Sequence, residues 1–496
     1  MAASSAAPPT PVLDTKRGKQ ILTLLLAVAF LDFIDASIVN IALPSIRDDL
    51  GFSIQNLQWV LSGYLLTYGG LMLLGGRAAD LLGRRRTLVT GTILFALSSL
   101  ASGVSPSDGV LIAARLVQGI GAALMIPAAL SILTTTFTAP GDRIKALGAW
   151  GAVGGLASAV GVFLGGVITD LIDWRWVFFV NVPATVVILI AIFRLVPVDV
   201  RRTGPVRLDL PGAALATIGM LLLVYTIVRA PIVGWGDART VGGFALAAAI
   251  LAVFTAVELR QSDPVFPFSI FRVKGLVAAD VTQVVAMAGF YSMFYFLTLY
   301  MQEVLDYSKL AAGVAYIPAT FAVAIGAGIA TNALPKVGTR PAIIVGALLG
   351  AVGIGWISRI PVHGSYAVDL LPPLVIMSFG LGGVLVGVMT AAQAGVPPDK
   401  AGLAAALINS SMWLGGALGV SIFSAIATSK TSHLLAEHAP RATALTDGFR
   451  DALLAAAIFL AVAAVIAMRS PNSKGAAAES EASGIVATGE TATEIA

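Results

Sequence analysis

Two acids lie where an acid is hard to hold. Asp32 and Asp35 fall inside the first long apolar run, in the stretch LDFIDASIVNIALP from Leu31 to Pro44. A carboxylate near the middle of a bilayer costs several kcal/mol by insertion scales and more by simulation. Being three residues apart, the two share a helix face, and that face must look at protein, water or a cargo. A carboxylate so placed can hold a proton, pair with a fixed cation or bind a cationic solute. Arg115, in LIAARLVQGIGAALMIPAAL, is the one basic residue well inside a span, and arginine does not deprotonate. Asp35 lies roughly 13 Å, and Arg115 about 9 Å, from the outer ends of their spans at 1.5 Å per residue, so the two side chains can meet. A purely structural ion pair would use the same residues. Asp280 and Gln283 open the ninth span, with Asp280 about 9 Å from Lys274 along the axis, so Asp280 faces either a cavity or the membrane surface. Glu303 is expected in water at the outer mouth.

The elements that must position these groups are apolar helices. Of the 496 residues, 57% are hydrophobic and 12% charged, where soluble domains carry about 25% charged residues. Apolar runs near bilayer length recur from end to end and are too long for barrel strands. The fold class is therefore an all-α polytopic membrane protein. Fourteen hydrophobic spans are counted. They divide the chain into an N-terminal tail (1–20), a six-span half (21–200), two extra spans (201–274), a second six-span half (275–470) and a polar tail (471–496) expected to be disordered. Two related halves about an axis are how many secondary transporters build a midplane cavity. The N-terminal segment is polar, then basic, and shows no cleavage pattern, so the first span is expected to direct insertion.

Lysine and arginine set the orientation. With both ends cytoplasmic, the inner segments hold 21 of the 31 basic residues, among them Arg84, Arg85, Arg86, Arg201, Arg202, Arg272 and Lys400. The positive-inside rule favours this topology. The three histidines, His363, His433 and His438, fall in outer loops, the largest of which is Ser429 to Asp451. Any proton path must use carboxylates. The chain has no cysteine, which removes disulfides, thiolate metal sites and cysteine nucleophiles. No metal and no cofactor is expected.

The loop between spans two and three reads GGRAADLLGRRRTL. Gly76 is expected to allow close backbone approach, Asp80 follows four residues on, and Gly83 permits a tight reversal. Arg84 and Arg85 then face the cytoplasmic surface, as topology anchors would. In span five, Gly151, Gly154, Ser158, Gly161 and Gly165 form a stripe at helical spacing. Such stripes let helices cross with backbones almost touching, with or without a role in transport. Aromatics including Phe33, Tyr64, Tyr68 and Tyr291 either line an apolar pocket or simply pack.

The order Gly76, Asp80, Gly83, Arg84, Arg85, Arg86 resembles the loop signature G-x-x-x-D-x-x-G-R-(K/R)-(K/R) of the major facilitator superfamily. Arg115, Gln118, Gly119 and Gly121 resemble the R-x-x-Q-G-x-G helix of that family. Gly161, Gly165 and Gly166 resemble the G-P-x-x-G-G motif of its drug antiporters, with Val162 in place of the proline. LDFIDASIVNIALP, DWRWVFFVNVP and YMQEVLDYSKLAAGVAYIP are similar to segments of the fourteen-helix drug:proton antiporter family, EmrB/QacA type. The resemblance covers nearly the whole chain. It implies a major facilitator fold of two six-helix halves plus two extra central helices, fourteen transmembrane helices in all. It also implies a charge network at Asp80 and Arg84 that makes and breaks with the gate, and proton coupling at Arg115.

Three readings follow. One is a proton-coupled exporter of amphipathic, often cationic, small molecules from the plasma membrane, in which proton and cargo compete for Asp35 and Asp32, with Asp280 as a further coupling residue. Its partners are a small-molecule substrate, protons and the lipid bilayer, its energy source is the proton gradient, and it works as a monomer. The second is a dedicated exporter of one endogenous product, such as an antibiotic or lipid. The third, a membrane enzyme, finds no intramembrane histidine, no cysteine and no phosphate-binding Gly-x4-Gly-Lys-(Ser/Thr) loop. Nucleic acid is not an expected partner.

Overall fold

A computed structural model describes residues 12–198, 210–261, 275–394 and 401–470, with residues 270, 273, 396, 472 and 473 beside them. Among these the elements are helices. They are α1 (Lys16–Leu50), α2 (Ile54–Leu57), α3 (Trp59–Leu82), α4 (Arg84–Gly103), α5 (Asp108–Thr136), α6 (Pro140–Leu171), α7 (Trp176–Phe179), α8 (Asn181–Leu195), α9 (Leu210–Val233) and α10 (Ala238–Arg260). They continue as α11 (Leu276–Glu303), α12 (Lys309–Ala315), α13 (Ile317–Val337), α14 (Thr339–Ile357), α15 (Leu371–Gln393), α16 (Ala401–Ala436) and α17 (Arg441–Ala467), with a π turn at Tyr366–Leu370 before α15. Among the described residues, twelve helices are long and apolar enough to cross a membrane. Absent from that set are α4, which opens on three arginines, and α6, of which Val160–Leu171 forms a shorter apolar stretch.

Local chemistry sets the helix ends. Thr15 Oγ1 accepts the Gly18 amide at 2.9 Å and starts α1. Its end is Gly51, whose φ of 69° lets its amide reach back to the Arg47 carbonyl. Ser107, Asp237 and Ser308 cap α5, α10 and α12 in the same way as Thr15. Gly83 has φ 107° and is both the last residue out of α3 and the entry to α4, the tight reversal expected of it.

The chain forms two compact units. The first comprises Met1–Pro267 with Thr298–Ile317. Its helices meet backbone to backbone at glycines. A methyl group on Gly91 of α4 would fall 2.6 Å from the Met125 amide nitrogen and 2.8 Å from the Gly121 carbonyl oxygen of α5. Gly161 and Gly165 of α6 lie against the carbonyls of Ile34 and Ile38 on α1, and Gly166 against that of Lys309 on α12. Such crossings need small residues because no side chain fits between. Hairpin α9–α10 sits on the flank. Gly70 of α3 faces Thr217 of α9, and Gly243 of α10 faces Thr226 of α9. Only 11% of the α10 span is buried.

The second unit comprises Phe268–Leu297 with Pro318–Ala496. It repeats the packing scheme of the first. Gly346 of α14 and Gly380 of α15 touch as Gly91 and Gly121 do. Gly415 and Gly419 of α16 lie against Val284 and Ala288 of α11, the same four-residue spacing as Gly161 and Gly165 on α1.

The structure corrects several expectations. The stretch Ser429 to Asp451 is not a loop: α16 continues to Ala436 and α17 starts at Arg441, with the turn made by His438 at φ 64°. His433 therefore lies on a helix, 3.5 Å from Glu437. The tail is ordered at its start, because Asn472 Oδ1 accepts the Arg340 amide at 3.1 Å and the Ser473 carbonyl accepts the Thr339 amide at 3.3 Å. The close approach expected at Gly76 belongs to its neighbour. A methyl on Gly75 would run into the Ala123 carbonyl, whereas one on Gly76 would meet Pro127 Cβ at 3.8 Å. Arg201, Arg202, Arg272, Lys274, Lys400 and the segment boundaries at 200, 274 and 470–471 lie at or outside the edges of the described residues.

Candidate functional site

The acids of α1 lie in the interior of the first unit. Asp32, Asp35, Arg115, Gln118 and Asn181 all have zero exposure. Helices α1, α3, α5 and α8 meet there, because α6 takes the other face of α1 through its glycines and leaves the acid face to α3, α5 and α8.

Asp35 is held by nitrogen donors. Arg115 Nη1 donates to its Oδ2 at 2.8 Å. Gln118 Nε2 at 2.8 Å and Asn181 Nδ2 at 2.7 Å donate to its Oδ1. Arg115 is fixed further by the Val60 carbonyl, 3.0 Å from its Nε, and by Gln118 Oε1, 2.7 Å from its Nη1. Its Nη2 has no hydrogen-bond partner. Its guanidinium carbon lies 4.2 Å from the Tyr64 ring centre and 5.7 Å from that of Phe178, distances at which an aromatic face attracts a cation. Asn181 also donates to Ser99 Oγ at 3.1 Å, and Ser99 donates to the Phe178 carbonyl at 2.9 Å.

Asp32 is held by hydroxyls. Tyr64 donates to Oδ1 at 2.9 Å and Tyr68 to Oδ2 at 2.8 Å. These tyrosines were expected only as pocket or packing aromatics. They sit one helical turn apart on α3, with ring centres 5.6 Å apart. Asn181 escaped the sequence reading as a site residue. Its signal was an asparagine alone in the apolar run WVFFVNVPATVV.

The sequence residues in the second unit form a separate group. Asp280 is 7% exposed and accepts from Ser411 of α16 at 3.0 Å, while its other oxygen has no hydrogen-bond partner. It is thus interior to its unit rather than at a surface. Gln283 is buried as well.

Of the loop residues, Asp80 lies in the last turn of α3, and its side chain lies outside the described residues. Arg85 donates to the Phe193 carbonyl at 3.1 Å and stacks 5.4 Å from that ring, which ties α4 to the end of α8. Gly154 faces the Phe33 ring. The side chains at Gly151 and Ser158 are outside the described set.

Glu303 is largely shielded, at the edge of an open cavity. Its side chain is 9% exposed and bonds Arg47 at 2.7 Å, tying α11 to the Gly51 end of α1 inside the first unit. Gln302 adds a bond to the Ile41 carbonyl at 3.0 Å. The cavity, of about 430 Å³, is lined by Asp48, Asp49, Asp170 and Lys309 among others, away from Asp32 and Asp35. Among the described residues no group of His, Asp and Glu is placed to hold a metal ion.

Residues 25–420 match the Major Facilitator Superfamily. The chain belongs to that superfamily. This facilitator is 42% identical to the puromycin resistance protein pur8 of Streptomyces alboniger, over 86% of this chain and 85% of that protein. It is 37% identical to the cephamycin export protein CmcT of Amycolatopsis lactamdurans, over 90% and 91% of the two chains. The fold is shared with a bacterial homologue of the human lysosomal transporter Spinster, at TM-score 0.66 and 16% identity, covering 92% of the facilitator and 97% of that chain. It is shared also with a D-xylose–proton symporter, at TM-score 0.62 and 14% identity, covering 92% and 98%. As a facilitator it is a multi-pass membrane protein.

Proposed function

We propose that this facilitator exports antibiotic-like small molecules across the plasma membrane in exchange for protons. The observation that carries the reading is a sealed group of two carboxylates and one arginine inside a chain that aligns nearly end to end with a puromycin resistance protein and a cephamycin export protein. Nothing covalent is required. A proton and a cationic cargo compete for carboxylate charge on α1, and the protein exposes that charge to one side of the membrane at a time.

The rest of the reading concerns architecture. Helices α4 and α6 cross the membrane too, because α14 and α16 occupy their places in the repeated packing scheme and are long and apolar enough to do so. That makes fourteen crossings, with six in each half and α9–α10 between, and both termini in the cytoplasm. In this frame Asp80, Gly83, Arg84 and Arg85 are the cytoplasmic gate, the α6 glycines the crossing on which α1 turns, and Asp280 a coupling residue of the second half. The chain acts as a monomer and needs no cofactor.

A second reading has support of its own. The cephamycin relative is named for one product, so a dedicated exporter would share every residue described. Both are tested in inside-out vesicles, acidified inside, to which puromycin, tetraphenylphosphonium, ethidium and neutral drugs are added in turn. Proton efflux evoked by several unrelated compounds supports broad export. Efflux evoked by one compound supports the dedicated reading, and silence across a wide panel in folded protein overturns both.

A further inference from the structure

The two acids of α1 differ in what surrounds them, and the difference bears on which one can carry a proton. A protonated carboxyl is a donor on one oxygen and needs an acceptor there. A phenol hydroxyl donates or accepts by turning about its C–O bond, whereas a guanidinium only donates. Asp32 meets two phenols and no cation. Asp35 meets Arg115, Gln118 and Asn181. The carbonyl of Gln118 is already taken by Arg115. Turning the Asn181 amide would offer Asp35 an acceptor, but a proton on Asp35 would still leave Arg115 charged, with zero exposure and no carboxylate. Stranding a buried charge is strongly unfavourable.

We propose that Asp32, not Asp35, is the proton-carrying group, and that Tyr64 and Tyr68 are its switching partners. Asp35 is a fixed counter-ion that keeps Arg115 in place. This rests on the export reading only for the direction in which the proton is used. The site itself rests on geometry. The titratable and charged groups that bear on Asp32 within its unit are Tyr64 and Tyr68 of α3, Asp35 on its own helix and Arg115 of α5. Helix α6 meets α1 through glycines and α8 through Asn181, none of which titrates.

Tyr64 gives the proton a mechanical consequence. Its hydroxyl holds Asp32 while its ring carries the Arg115 guanidinium. When Asp32 takes a proton, one phenol turns from donor to acceptor and the carboxyl loses its charge, while the Asp35–Arg115 bond persists. A cationic cargo then finds charge at Asp32 only after the proton has left. The proton's presence is felt first on α3, and it reaches the α1–α5 bridge only through the Tyr64 ring.

The test is pH-difference infrared spectroscopy of the purified protein in lipid nanodiscs, which needs no cargo. All proteins carry Asp142→Asn, Glu258→Gln and Asp280→Asn, which remove the other carboxyls buried among the described residues. The C=O stretch of a protonated buried carboxyl is expected in this background and lost when Asp32→Asn is added. It is expected to survive Asp35→Asn/Arg115→Gln, a pair chosen so that no charge is stranded. Tyr68→Phe, which keeps the ring, is expected to shift the band because the carboxyl loses one partner. Monodisperse elution checks folding. A band that survives Asp32→Asn, or is lost in the Asp35→Asn/Arg115→Gln protein, overturns the assignment, and so does no band at any pH. If the Asp32 band is present but the wild-type protein moves no protons in vesicles, the export reading is lost and this one is kept.

Discussion

Arg115 donates to Asp35 across 2.8 Å, and neither side chain has any exposed surface. Removing one member of such a pair leaves a buried charge unmatched, at about 3–5 kcal/mol, whereas removing both is far milder. Asp35→Asn and Arg115→Ala should each lower thermal stability sharply in detergent and abolish export. Asp35→Asn/Arg115→Gln should recover most of the stability without the export. Thermal unfolding monitored by tryptophan fluorescence, together with vesicle transport, checks both halves. If the single variants melt like wild type, the pair is not structural in this sense.

Adjacent glycines on α3 should behave oppositely. Gly75 abuts the Ala123 backbone, and a methyl there forces apart a well-packed crossing, at about 1–3 kcal/mol. Gly76 has room, and its alanine variant should stay within about 0.5 kcal/mol of wild type. Melting temperatures of Gly75→Ala and Gly76→Ala decide this, and equal losses at both positions would refute the packing described.

The Arg47–Glu303 bond is largely shielded, with side chains 15% and 9% exposed. A hydrogen bond to a charged group of this kind is worth about 1.5–3 kcal/mol. Arg47→Glu and Glu303→Arg should each depress transport, and the double swap should restore a large part of it. Transport rates of the three variants give the answer, and no rescue in the swap would show that the two positions act independently.

Arg85 is bound to an exposed end of α8 through the Phe193 carbonyl and ring. A stack of this type contributes under about 1 kcal/mol at an exposed site, so Arg85→Ala should alter stability little. Asp80→Asn should slow turnover with cargo preference unchanged. Competition among several labelled substrates checks the second statement. Unchanged turnover would reduce the loop to a topology anchor.

Much of the site was legible because charge inside a bilayer is scarce. Asp35 was the acid nearest to Arg115 in depth, and rise-per-residue arithmetic was enough to bring them together. The roles of Tyr64 and Tyr68 were not legible, since a tyrosine on an apolar helix packs by its ring in most settings and only the fold aims its hydroxyl. Asn181 lay too far along the chain to be tied to Asp35 by spacing. Gly75 and Gly76 are neighbours on a helix, about 100° apart in direction, and a motif cannot say which of them faces the crossing. Glu303 looked exposed because its cation, Arg47, is contributed by the far end of the first helix. Helix ends beyond Thr428 were missed because polar residues continue α16 past the apolar run, where hydropathy alone sees a loop.

The flank position of α10 has an evolutionary reading. It leans on α9 and shows most of its surface outward, and none of the groups that hold Asp32 or Asp35 comes from either helix. The hairpin is therefore a cassette. It can drift in sequence, or be gained and shed between lineages, without disturbing the inherited polar centre. A library randomised over its outward face should pass selection almost intact, while the same library on α3 would be nearly emptied.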